Sequence, residues 1–458
     1  MAALPGGIVC VATDHGMVWL EQQTFTLATK AALMQAMLPR HDRHGLVAGC
    51  ALSSFGNTSI PLRCVDDDNN GLWTAVVAAA ELFRYSVTKD PAAAASARRF
   101  LNGMYLLHNV TGVRGLYARS ACAPDDVGCA TERATLRRSC TSQVTPGCCQ
   151  HEGTCGLQWR NSTAAGYDGW VWKSDTSSDE TCGHFFAFAI AAQLAPTLVR
   201  LHSPILAEQN PTCWSTQLAI AHSCWKDSNQ LNKRLLLRCV CVLLQAERTT
   251  AAETVADMLD YMLANDYSLA DWTGYATTWG RWAPQFVNGY RPFSDERGLQ
   301  SLQMLAFISA AQNVSALLPD TAARTARRER WAAAYDELTN STNGYDENML
   351  NTKIEAPIDD NYSDDQLTYM PYYTYLTTST DPLKRAAALA SLTRTWQATK
   401  AERSDLWAAV YMVLSGTRHP ADLGSLRWNL QTWPLELINW NTSNAQRIDL
   451  WYVLYSTY

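Results

Sequence analysis

Residues 169–192 read GWVWKSDTSSDETCGHFFAFAIAA, and the reading of this stretch decides the fold. Ser177 and Glu180 stand at the spacing of a capping box, in which the hydroxyl accepts an amide of the first turn and the acid reaches back. Carboxylates in a first turn also offset the positive end of the helix dipole. The sequence therefore predicts a helix that starts here and continues through HFFAFAIAAQL. Asp175 falls just before that start, Asp179 and Glu180 lie in the first turn, and His184 lies one turn on from Glu180, where side chains four apart share a face.

The same step recurs along the chain. Ser294-Asp295-Glu296 and Ser363-Asp364-Asp365 each introduce a helical pattern, and Asp66-Asp67-Asp68 precedes the pattern that opens at Leu72. Between these steps the apolar residues keep a helical period over about ten segments, and strand patterns are nearly absent from Thr24 onward. Links such as Lys89-Asp90-Pro91 and Thr380-Asp381-Pro382 place an Asp before a Pro suited to a first helical turn. Short links make helical hairpins, and five or six hairpins closed in a ring make an all-α toroid of the (α/α)6 type. The expected organisation is a β-hairpin at 1–23, with two strands within Ile8–Leu20, followed by the toroid at 24–458.

Two segments interrupt the pattern. Residues 121–166 form a Cys-rich loop, and residues 201–245 read as an insertion between a helix ending near Val199 and one starting near Thr250. Fourteen cysteines are many, and Cys64, Cys122, Cys129, Cys140, Cys148, Cys149, Cys155 and Cys182 lie in or near the first loop, as expected of disulfides in an oxidising compartment. A zinc site at Cys148, Cys149, His151 and Cys155 lacks paired CxxC spacing, so neither metal nor cofactor is expected. Seven glycosylation triplets, at Asn57, Asn109, Asn161, Asn313, Asn340, Asn361 and Asn441, agree with an extracellular or secretory-lumen location, although the opening MAALPGGIVCVATDHGMVWL does not read as a signal peptide.

A net charge of -6, without a basic cluster, argues against nucleic acid and anionic membranes, and no apolar run is long enough to span a bilayer. Seventeen Trp and nineteen Tyr against ten Phe favour rings with a polar handle, suited to wet clefts that stack sugars. No phosphate loop, GxSxG elbow or HExxH motif is present. In a toroid the inner helices start at one end and their acids point toward the axis. Paired carboxylates there are what glycoside hydrolysis requires, one to protonate the leaving oxygen and one to activate water or attack. Capping alone accounts for any single acid, but not for Asp175, Trp170, Trp172 and His184 gathered around one of them.

The runs RHDRHGLV, DDDNNGLWTAVVAAAELFRYSVTKDP, GLYARS, WVWKSDTSSDETCGHFFAF, ERGLQSLQMLAF and NYSDDQLTYMPYY resemble a poorly characterised group of six-hairpin glycosidase-like proteins. In some of that group a regulator-type β-propeller repeat precedes the toroid, and IVCVATDHGMVWL is similar to the tail of one repeat. The resemblance implies Asp175 and Asp179 as acid and base candidates.

The expected activity is glycoside hydrolysis of an oligo- or polysaccharide. Asp179 or Asp175, with Glu180 beside them, is the candidate acid, and Asp364, Asp365 or Asp67 is the candidate base across the pore. His184 and Arg119 are expected to orient substrate, while Trp73, Trp170, Trp172, Trp279 and Trp282 stack sugar and Asp68, His44 and Arg281 complete the binding end. A lyase on the same fold would pair His184 with Tyr372, and a glycan-binding or scaffold module would use the acids only as caps.

Overall fold

The computed structural model describes residues 2–4, 8–13, 16–20, 24, 26–51, 63–65, 68–126, 159–174, 176–200, 233–271, 276–352, 362–402 and 404–432. Among these residues thirteen α-helices dominate, with a few short strands. The helices are α1 (Leu27–Met37), α2 (Asn70–Thr88), α3 (Pro91–Asn109), α4 (Ser178–Arg200), α5 (Lys233–Ala264), α6 (Pro284–Val287) and α7 (Asp295–Val314). They continue with α8 (Ala322–Leu338), α9 (Tyr345–Asn348), α10 (Tyr362–Thr378), α11 (Pro382–Thr399), α12 (Asp405–Ser415) and α13 (Pro420–Thr432).

Polar residues set the starts where the sequence placed them. Asp90 caps α3 by accepting from the Ala92 amide at 2.9 Å, and Asp381 caps α11 by accepting from Leu383 and Lys384, each with proline at the first helical position. Ser294 caps α7 through the Arg297 amide, and Ser404 caps α12 through that of Trp407. Between α2 and α3, Lys89 takes the left-handed conformation at φ 59°, which turns the chain within two residues.

Helices pack as sequential pairs: α2 on α3, α4 on α5, α7 on α8, α10 on α11 and α12 on α13. Within this series α4 touches α2 and α7, while α10 touches α7, α12 and α4. The centre is aromatic. Tyr373 of α10 meets Phe83 of α2 edge-on at 5.9 Å and Phe186 of α4 at 5.4 Å, and Phe185 stacks on Phe307 of α7 at 4.3 Å. Full burial of such a ring, as at Phe185, Phe186 and Phe307, contributes about 1.5–3 kcal/mol, and the partly buried Phe83 and Tyr373 contribute less. The first helix joins both ends of the series: Lys30 donates to the carbonyls of Leu430 (2.7 Å) and Gln431 (3.1 Å) on α13, and Gln35 donates to Glu81 of α2.

Several local expectations change. The N-terminal β unit has three strands, β1 (Ala2–Leu4), β2 (Ile8–Thr13) and β3 (Gly16–Leu20), because Ala2–Leu4 adds antiparallel to Ile8–Cys10. The short pairs β4 (Asp42–Arg43) with β5 (Leu46–Val47), and β6 (Gly49–Ala51) with β7 (Arg63–Val65), follow, the latter clasped by a Cys50–Cys64 disulfide. The ends of the Cys-rich loop are ordered as a sheet in which β10 (Val171–Lys173) lies between β8 (Ser120–Cys122) and β9 (Trp159–Asn161). Strand β11 (Ser268–Ala270) pairs with β12 (Ala276–Arg281). The second helix of the interrupted pair starts at Lys233, not near Thr250, so the end of the expected insertion is continuous with α5, whereas 201–232 lie outside the described residues. Cys122 is disulfide-bonded, but Cys182 is a free thiol buried in α4, because its helical position faces the core. Helix α10 starts at Tyr362, so Ser363 is a helical residue and not the residue before the helix.

Replacing Lys30 by Met keeps the buried stem and deletes both bonds to α13. The expected loss is about 1.5–3 kcal/mol in a urea titration, the range for hydrogen bonds made by a charged group. An unchanged midpoint would show that the junction of α1 and α13 contributes nothing.

Candidate functional site

The starts of α2 and α4 lie side by side because each helix presents a glycine to the other. A Cβ on Gly71 would stand 1.9 Å from Glu180 Oε2 and 3.0 Å from His184 Nε2, and one on Gly183 would meet Leu72 Cα at 3.1 Å. Through this gap Glu180 Oε1 accepts the Leu72 amide at 3.1 Å, so a first-turn acid of one helix satisfies an open amide of the next. The Glu180 amide faces the Ser177 hydroxyl at 3.5 Å, the cap that the sequence predicts.

Behind Glu180 lies a chain of buried rings. His184 Nε2 stands 3.8 Å from Glu180 Oε2, and His184 Nδ1 shares a 2.9 Å hydrogen bond with His108 Nε2 at the end of α3. Tyr117 stacks on His184 at 4.4 Å and shares a 2.6 Å bond with the Thr181 hydroxyl, while Thr176 donates to the Tyr117 carbonyl. Burial pushes His108 down to about 3, and burial followed by the neighbouring His108 lowers His184 well below the usual histidine range. Burial likewise raises the Tyr117 hydroxyl and the Cys182 thiol. Both histidines are neutral at pH 7 and support the site from inside.

The accessible rim stands in front. Asp179 is half-buried, with Ser178 donating to its carboxylate at 3.3 Å. It precedes Phe186 by seven residues, so it lies on the same helical stripe, about 10 Å along the axis from the central ring contact. On α2, Trp73 is partly buried against the core. Just before α2, Asp68 accepts from Lys173 Nζ at 2.6 Å, and Arg119 donates to the Asp68 carbonyl at 3.0 Å. Burial opposes ionisation of Asp68, but Arg119 and Lys173 outweigh it and hold the carboxyl below its usual range. Further out, His44 is exposed, 3.7 Å from Asp126 and edge-on to the half-buried Trp170 at 5.3 Å. Burial also opposes ionisation of Asp126, but His44 and Arg43 prevail and pull it down to about 2.

The other sequence candidates lie elsewhere. Glu180, His184 and Asp365 are wholly buried. Asp365 stands one turn before Tyr369, whose ring stacks on Trp407 and whose hydroxyl bonds Thr399, so it lies beside α11 and α12 and away from solvent. Trp172 is buried beneath the Arg160 guanidinium, and Trp282 is a core residue donating to Gln303, which removes both as open stacking platforms. Arg281 lies over Phe286 at 5.1 Å. Tyr372, the lyase partner, is buried and bonds Ser391 of α11. Asp67 and Asp175 lie outside the described residues, as do the side chains of Trp279 and Asp364.

Sequence reading missed His108, Tyr117, Lys173 and the glycine pair. His108 had a signal, since it follows Leu101 by seven residues on the buried stripe of α3 that also carries Met104. Lys173 was hidden because its partner Asp68 is distant in sequence. Among the described residues no group of three or more His, Cys, Asp or Glu is placed to hold a metal, and no helix is long and apolar enough to cross a membrane.

Gly71→Ala should destabilise the protein by about 1–3 kcal/mol, because the added methyl has to displace the buried Glu180 carboxylate from its bond to the Leu72 amide. A melting temperature equal to wild type would contradict the glycine contact. Because His108 and His184 have lowered folded pKa values, the unfolded chain takes up protons first as pH falls below about 6.5, and the native state follows only near its own depressed values. Stability should therefore drop from pH 6.5 toward 3, by about 1.4 kcal/mol per pH unit for each histidine. The double variant His108→Phe, His184→Gln should flatten that slope, and an undiminished slope would assign it to other groups.

Comparison with protein-family models, with curated proteins and with solved structures finds no match for this chain.

Proposed function

We propose that this chain is a carbohydrate-active enzyme, a glycoside hydrolase, built as an α/α toroid of helical hairpins. The toroid reading is supported by the five sequential helix pairs and by α1, which bonds α13 at one side and α2 at the other. On this reading the first members of the pairs are the inner helices, and the Phe83, Tyr373 and Phe186 contact is the floor of a bowl that opens at their starts.

The observation that carries the catalytic reading is Asp179. Its helix is already capped by Ser177, and its half-buried carboxylate stands on the stripe that leads to the aromatic floor. On this reading its carboxyl is the group that gives a proton to the glycosidic oxygen. Asp68, kept ionised beside Lys173 and Arg119, and the partly buried Trp73 lie on the neighbouring helix start. Asp364, Asp67 and Asp175 remain the second-carboxylate candidates. The buried Glu180, His184 and His108 chain supports the reading by fixing where α2 and α4 begin. The lyase alternative loses support, because His184 and Tyr372 are both enclosed in the core.

Purified protein tested on a panel of neutral and acidic glycans should release new reducing ends without an unsaturated product. Asp179→Asn should lower that rate at least about 100-fold, the usual scale for a lost acid or base, while leaving the helical circular dichroism intact. Folded wild type with neither turnover nor glycan binding across the panel would overturn the assignment.

A further inference from the structure

The chain has thirteen asparagines among its described residues, and they divide sharply by sequence context. Four begin an N-x-S/T triplet: Asn109 at the end of α3, Asn161 in β9, Asn313 in the last turn of α7 and Asn340 after α8. All four are exposed. No hydrogen bond engages the side-chain nitrogen of any of them among the described residues; at Asn340 only Oδ1 is used, accepting from the Thr342 and Asn343 amides.

The nine asparagines outside triplets behave otherwise. Asn265, Asn288, Asn343, Asn348 and Asn351 each commit Nδ2 to a hydrogen bond. Asn70 and Asn429 are buried, Asn69 is partly buried, and Asn102 alone is exposed. Chance triplets would fall on both kinds of asparagine. Here every described triplet falls on the kind whose nitrogen is open to a bulky group.

We infer that Asn109, Asn161, Asn313 and Asn340 are N-linked glycan attachment sites. The donor class is a lipid-diphosphate-linked oligosaccharide. The amide nitrogen forms an N–C bond to C1 of the donor sugar, the C1–O bond to phosphate breaks, the lipid diphosphate leaves and the amide gives up one proton. The disulfides at Cys50–Cys64 and at Cys122 belong to the same oxidising compartment.

The placement also gives the glycans work in the fold. Ser162 donates to the Val110 carbonyl at 2.6 Å, so Asn109 and Asn161 are each one residue from a direct bond and their glycans leave the surface together. Strand β9 is an outer strand of its sheet, and a glycan on Asn161 shields that edge from pairing with another chain. Asn313 lines a polar cleft of about 570 Å³ between the ends of α7 and α10 and the outer helix α8, so its first sugar has a hydrogen-bonding floor.

The natural protein, immunoprecipitated from the cells that make it, is treated with peptide N-glycosidase in ¹⁸O water and mapped by mass spectrometry. The expected result is ¹⁸O-labelled Asp at all four positions and unmodified Asn102. In a parallel experiment the full chain is secreted from eukaryotic cells behind an added signal sequence, and each single Asn→Gln variant should run one glycan step faster than its parent. Absence of label at all four sites in the natural protein overturns the proposal, and so does label confined to Asn102 or to other asparagines outside triplets. These readouts are independent of glycan turnover, so the catalytic proposal and this one fail separately.

Discussion

The approach of α2 and α4 through Gly71 and Gly183 is the constraint on which the remainder depends. Any side chain at Gly71 would occupy the space of the Glu180 carboxylate. With hydrogen there, Glu180 crosses to the Leu72 amide, and His184, His108 and Tyr117 stack behind it. One interhelical bond thus ties three helices and the β8 approach together: α4 carries Glu180 and His184, α2 receives the bond, α3 supplies His108, and Tyr117 precedes Ser120. The hydrogen bonds of this chain, Glu180 to Leu72, His184 Nδ1 to His108 and Tyr117 to Thr181, are each worth about 1 kcal/mol, while His184 Nε2 stands 3.8 Å from Glu180 without a hydrogen bond to it.

Helix starts were the most legible part of the sequence, because a cap is a local device. Asp90, Ser177, Ser294 and Asp381 all act on amides two or three residues away, and the signal needed no knowledge of the partner helix. Side-chain destinations were less legible. Trp282 and Trp172 look alike as ring-bearing neighbours of an acidic step, yet one bonds Gln303 in the core and the other lies beneath Arg160. Helical phase and tertiary neighbours decide these outcomes. The addition of β1 to the hairpin was likewise invisible, since Ala2–Leu4 is too short to announce a strand.

The acids at the starts of α4, α7, α10 and α12 have a shared physical reason. Every helix start carries open amides and a positive dipole end, and carboxylates relieve both. Glu180 does this directly, by accepting from a neighbouring helix. Asp405 stands beside the Ser404 cap, where burial raises its pKa and Lys30 of α1 pulls it back. In such positions an acid is part of the scaffold.

This reason also separates Asp179 from its neighbours. The cap of α4 is supplied by Ser177, and the open Leu72 amide of α2 is met by Glu180, whereas Asp179 accepts from the Ser178 hydroxyl. Asp179 is half-buried on the stripe of the central rings, with the Ser178 oxygen 3.3 Å from its carboxylate. At Asp68, Lys173 and Arg119 outweigh burial and hold the carboxyl below its usual range. The starts of α2 and α4 thus hold two carboxyls in different surroundings across one interhelical seam, Asp68 beside Lys173 and Arg119, and Asp179 beside the Ser178 hydroxyl.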